Sequence, residues 1–106
     1  MRRVVLESPY SGDVEAHVAY ARRCVLDSLS RGEAPIASHL LFPGILSDSV
    51  AEERQLGMHA GHAWYEGAEA AVVYIDFGIS KGMLLGMMAA AAAGVPTEMR
   101  QIGGVS

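Results

Sequence analysis

A doubly wound α/β domain, about four parallel strands alternating with three helices, is the fold class this sequence predicts. Two observations carry it. Apolar runs of strand length alternate with segments of helical period, giving the order βαβαβαβ. The third run, Ala70-Ala71-Val72-Val73-Tyr74-Ile75, is apolar throughout, as suits a central parallel strand covered on both faces. A chain of 106 residues has room for one such domain, spanning 1–106, and no linker or internal repeat divides it.

Val4-Val5-Leu6 is a short β-branched run that ends in the polar turn Glu7 to Asp13. Val14, Val18, Ala21, Val25 and Leu29 then recur at helical spacing, with Glu15, Arg22, Arg23 and Arg31 on other faces and Gly32 as a stop. Ala34 to Ser38 reads as a second strand, with Pro35 confined to its first residues. His39 to Asp48 contains Pro43 and Gly44 and reads as a loop. Ser49-Val50-Ala51-Glu52 has capping-box spacing, which predicts a second helix from there. Its expected apolar stripe is Leu56, Ala60, Ala63 and Trp64, and Gly67 closes it. Asp76 to Gly82 is a loop, Met83 to Ala93 a third helix stopped by Gly94, and Val95 to Met99 a last strand. The tail Gly103-Gly104-Val105-Ser106 is expected to fray.

Composition narrows the function classes. Hydrophobic residues at 51% against 19% charged mark a globular chain rather than a disordered one. With a net charge of −4 and paired basic residues only at Arg2-Arg3 and Arg22-Arg23, the surface offers no basic stripe for nucleic acid. A nucleotide held by backbone amides stays compatible. Cys24 is the single cysteine, sits mid-helix, and is expected to be a buried, inert thiol in a reducing, cytoplasmic setting. The apolar run after Met1-Arg2-Arg3 is too short for a signal peptide. Gly82 to Pro96 carries no charge but falls short of the roughly 20 residues a membrane span needs, so a buried helix is expected and no membrane.

Ligands of open parallel sheets bind beyond the carboxyl ends of the strands, where helix N-termini present N–H groups. Ser8 to Asp13, Ser38-His39 and Asp76 to Gly82 fall there. Ser80-Lys81-Gly82 opens a helix and suits a phosphate or ribose hydroxyl, unless Ser80 simply caps that helix. Tyr10 could stack on a base or sugar, or pack over the strand edge. Asp76 could accept hydrogen bonds from ribose hydroxyls or hold a proton, or serve as a turn-former ahead of Gly78. His39 is preferred to His17, His59 and His62, which lie on predicted helices. His59 and His62 lack the further ligands a metal needs, so no metal is expected. The absence of a GxGxxG or GxxxxGK[ST] motif speaks against a dinucleotide cofactor, and no cofactor is expected. The candidate ligand contacts are Ser8, Pro9, Tyr10, Gly12, Asp13, His39, Gly78, Ser80 and Gly82, with Asp76 as the reactive acid.

Ser8-Pro9-Tyr10-Ser11-Gly12-Asp13, Tyr20-Ala21-Arg22-Arg23 and Pro35 through Pro43 together resemble a group of small bacterial and phage proteins. That group is a domain-of-unknown-function branch related to nucleoside 2-deoxyribosyltransferases. Glu52 to Gly57, Gly78 to Met83 and Gly94-Val95-Pro96 extend the resemblance over nearly the whole chain. It implies a Rossmann-like (flavodoxin-like) fold, a nucleoside, nucleotide or ADP-ribose-like ligand, and assembly into a homodimer or larger oligomer. In the enzymes it implies a glutamate on the last long helix that attacks the anomeric carbon. Here that position falls near Gly86, a second acidic position near Met88, and one on the preceding helix near Gly61; Gly82 to Gly94 holds no acid. The expectation is therefore a nucleotide-binding domain with weak or absent N-glycosidic chemistry. The alternative is an N-glycosidase or deoxyribosyltransferase using a displaced acid, Asp76 first, then Glu7, Asp13, Glu52 or Glu53. Self-association is expected through the charge-free helix 83–93, whose apolar residues occupy more than one face.

Overall fold

The computed structural model describes residues 1–103, so 104–106 of the tail expected to fray lie outside the described residues. Strands β1 (Arg2–Glu7), β2 (Glu33–Ile36), β3 (Ala70–Tyr74) and β4 (Thr97–Arg100) alternate with helices α1 (Val14–Ser30), α2 (Ala51–Ala63) and α3 (Lys81–Ala92). Two single 3₁₀ turns, Ser38–Leu40 and Phe42–Gly44, occupy the segment after β2 whose sequence predicts a loop. The strands form one sheet in the order β2-β1-β3-β4, and every pairing is parallel. This is the doubly wound α/β architecture that the alternation predicts.

Side chains alternate between two cores, as the pleat requires. Val4, Leu6, Ala70, Val72 and Tyr74 pack with Tyr20 and Cys24 of α1. Val5 and Ala71 pack on the other face with Tyr65, Ala90 and Val95. The chain leaves β1 toward β2 on one side, while β3 and β4 lie on the other. The strand order therefore reverses beside β1, the place where such sheets open a crevice.

Several helical faces differ from the expectation. The buried side of α1 is Tyr20, Ala21, Cys24 and Ser28, while Val14 and Leu29 are exposed. Tyr20 and Ser28 lie inside because each hydroxyl finds a carboxylate partner, half-buried Asp76 and buried Glu33, which a count of aliphatic residues does not register. Helix α2 begins at Ala51 behind Val50, which makes no side-chain cap, and the Ser49 hydroxyl pairs with that of Ser47 at 2.8 Å instead. Leu56 and Trp64 are 58% and 54% exposed. What α2 turns inward is Gly61 and, just past its end, Tyr65. The reason is close approach: a Cβ at position 61 would come within 2.5 Å of Ser38 Oγ. Helix α3 buries only Met83, Gly86 and Ala90, leaving Leu84 and Met88 in the open.

A buried ion pair ties the two edge strands together on the α1 side. Arg100 donates to both carboxylate oxygens of Glu33 at 2.7 Å, and Ser28 donates to Glu33 at 2.7 Å. These hydrogen bonds, Arg100 foremost, hold the Glu33 carboxyl down to about 2. Among the described residues no helix is long and apolar enough to cross a membrane.

Candidate functional site

A cavity of about 290 Å³ opens beyond the carboxyl end of β1. Glu7, Ser8 and Tyr10 enter it from that strand end, and Ser38, His39 and Phe42 from the turns after β2. Helix α2 contributes Gly57, Met58 and His62 to its wall, and the N-terminus of α3 contributes Ser80, Lys81, Gly82 and Met83. Ser8, Tyr10, His39, Ser80 and Gly82, all candidates by their place in the sequence, thus meet around one space.

The Ser8 hydroxyl lies 2.6 Å from His39 Nε2. Burial pushes the His39 imidazole down to about 4, so it is neutral at physiological pH and can accept or donate one hydrogen bond according to its tautomer. Ser80 does two things. Its hydroxyl accepts from Met83 N at 3.2 Å, capping α3, and it also faces the cavity. His62 is also held below the usual imidazole range, by burial first and then by the neighbouring His59.

Asp76 is not part of this assembly, contrary to the expectation that it converges with the others. Its Oδ1 accepts from the Tyr20 hydroxyl at 2.5 Å and from Ile102 N at 3.1 Å, and its Oδ2 from Gly103 N at 3.0 Å. The carboxylate thereby clips the chain leaving β4 to the end of β3. Burial works against its ionisation, but these hydrogen bonds prevail and hold it below the usual aspartate range. Such a group is a poor store for a proton. Gly12, Asp13 and Gly78 also lie away from the cavity walls. Asp13 caps α1 by accepting from Ala16 N at 3.2 Å, and Gly12 and Gly78 take φ of +93° and +83°, turn conformations that favour glycine. Pro9 is buried and does not line the cavity.

Three carboxyl groups line the cavity instead, Glu7 at the end of β1, Asp48 in the loop before α2 and Glu53 on α2, and Glu7 is the one carried by the sheet. Strand alternation sends Glu7 to the same face as Val5, toward α2 and α3. The Tyr65 hydroxyl donates to its Oε2. A Cβ at position 86 would overlap the Glu7 carboxylate, so the glycine on α3 is what makes room for it. Burial lifts the Glu7 carboxyl to about 7, against the partly offsetting hydrogen bond from Tyr65. The sequence does hold a signal for it: an acid closing an apolar strand directly before Ser8, opposite a helix with a glycine in its middle. Among the described residues no group of three or more His, Cys, Asp or Glu is placed to hold a metal ion.

Comparison with known proteins bears on family and fold. The model of a domain of unknown function, DUF7768, matches residues 2–100. No curated protein matches. Among solved structures, a 2-deoxyribosyltransferase from the psychrotolerant bacterium Bacillus psychrosaccharolyticus, described as a biocatalyst for nucleoside synthesis, is similar at a TM-score of 0.65 and 16% identity. The match covers 98% of this chain and 75% of that one, and at such identity it shows a common fold.

Proposed function

The chain belongs to the DUF7768 family of domains of unknown function, and we propose that it binds a nucleoside or nucleotide in the cavity beyond β1. One observation carries this reading. Polar residues from two strand ends and a helix N-terminus converge at the point of strand reversal, in a fold shared with a 2-deoxyribosyltransferase. In this reading Ser8 and His39 hold sugar hydroxyls, and Tyr10 stacks on the base. The amides and hydroxyl at Ser80 to Gly82, with the Lys81 ammonium, take the phosphate or the remaining sugar oxygen. Pro9, Gly12, Asp13 and Gly78 act on the ligand only by shaping the loops that carry the contacts. At about 290 Å³ the cavity lies near the lower limit of small-molecule sites, roughly 300 Å³, which favours one nucleoside or mononucleotide over an ADP-ribose-like ligand. The exposed apolar face of α3 is assigned to a second copy of the chain.

Titration calorimetry with 2′-deoxyadenosine, 2′-deoxycytidine and their 5′-monophosphates tests the reading. Saturable one-site binding of at least one of them is expected. No heat from any of the four contradicts it.

A further inference from the structure

Glu7 stands at the cavity floor in a setting that a purely structural residue does not need. An ionisable carboxyl taken out of water carries a desolvation cost that a glutamine or an apolar side chain of similar size would avoid. Its neighbour on α3 is a glycine, which in a helix interior costs about 0.5–1 kcal/mol relative to alanine. Gly86 is buried against the sheet in a segment otherwise built of Ala, Leu and Met. Two local costs therefore converge on one carboxyl group.

Resting on the nucleoside reading above, we propose that Glu7 is a catalytic residue that protonates the departing base of a bound nucleoside and then takes a proton back from water, hydrolysing the N-glycosidic bond. The bond between the anomeric carbon and the base nitrogen breaks, and its electron pair goes to the base. The Glu7 carboxyl proton goes to the same base, which leaves neutral. Water adds its oxygen to the anomeric carbon and gives its spare proton to the Glu7 carboxylate, which restores the acid. The products are free base and free sugar, and water is the only co-reactant.

The surroundings fit that cycle. Tyr65, just past the end of α2, donates to Oε2 and fixes the carboxyl plane, leaving Oε1 to carry the transferable proton. With a carboxyl lifted to about 7, the acid form is present at neutral pH, where an ordinary glutamate is ionised. The titratable groups around it leave that state in place. His39 from the turn after β2 and His62 from α2 are both held toward the neutral form by burial. From β3 the residue paired with Glu7 is Val73, and α3 turns Gly86 and Met83 toward this floor. The charged residues of the cavity wall are Lys81 at the start of α3, Glu53 and Arg54 on α2, and Asp48 in the preceding loop.

The test measures release of free base by chromatography from the four compounds above, across neutral pH, with calorimetry of the same protein and compound alongside. The intact protein is expected to release base, with a rate that falls about tenfold per unit once pH exceeds the carboxyl pKa. Glu7→Gln is expected to lose at least about 100-fold in rate, the lower end of what general acid–base groups contribute, while still binding the nucleoside. Tyr65→Phe removes the hydrogen bond that restrains the Glu7 pKa, so the falling limb should move to higher pH, a shift that a merely structural tyrosine would not produce. Binding without base release overturns the role of Glu7 and leaves the binding reading standing. Equal rates in Glu7→Gln, or an unmoved limb in Tyr65→Phe, overturn that role in the same way. An absence of binding overturns both.

Discussion

Asp76 and Glu7 each end an apolar strand, and the sequence alone ranks Asp76 first. The structure reverses their environments. Asp76 is surrounded by donors, the Tyr20 hydroxyl and the Ile102 and Gly103 amides, and is held ionised. Glu7 has one hydrogen-bond donor and a buried floor, and its carboxyl rises from an ordinary 4.5 to about 7. The difference is illegible in the sequence because two of those donors stand 26 and 27 positions beyond Asp76, at the edge of a Gly-rich tail that local composition marks as frayed. A stability consequence follows, with a definite sign. A folded-state pKa above the unfolded value means that Glu7 contributes fully at pH below its ordinary value and loses that contribution as pH rises through about 7. Above that point the ionised group destabilises the fold by at most roughly 3.5 kcal/mol, taking about 1.4 kcal/mol per unit over the rise from 4.5 to about 7. Glu7→Gln should therefore unfold at a higher temperature than the parent at mildly alkaline pH, with the gap closing on acidification. Thermal melts at two pH values check this, and a variant less stable at both would contradict the buried-acid account.

At the scale of elements, all four strands and all three helices are legible in the sequence, with boundaries shifted by a few residues. Helix faces are less so. The periodic count on α2 favours Leu56 and Trp64, but both are exposed, and the inward residues Gly61 and Tyr65 are chosen by contact distance and a hydroxyl partner. Hydrophobic periodicity cannot report a face selected for smallness. The same logic governs α3, where Gly86 leaves space for the Glu7 carboxyl. Gly86→Ala would ordinarily favour a helix by about 0.5–1 kcal/mol. Here it should destabilise, because the added methyl overlaps the carboxyl, and much of that loss should disappear in combination with Glu7→Ala. A double-mutant cycle in denaturant unfolding measures this coupling, and additive effects would show that the two residues do not share the space.

For the molecule as a whole, the two-sided parallel sheet is legible because continuous apolar runs and short connections leave few other arrangements. The buried Glu33–Arg100 pair is not, since nothing local in sequence links positions 67 residues apart. The proposed self-association rests on α3. Its Leu84 and Met88 are 50% and 60% exposed, in a segment without charge from Gly82 to Pro96. A second copy meeting that face would cover them. Sedimentation should find a dimer that Met88→Lys shifts toward monomer, and a parent chain already monomeric at micromolar concentration would contradict it. The central claim remains the place of the ligand, and amide chemical-shift mapping addresses it most directly. Adding 2′-deoxyadenosine 5′-monophosphate to the isotope-labelled protein should move the amides of Ser8, Tyr10, Ser38, His39 and Ser80 to Gly82, and leave those of Ile102 and Gly103 beside Asp76 in place. Shifts centred on Asp76, Ile102 and Gly103, with the residues around Ser8 and His39 unmoved, would contradict the account.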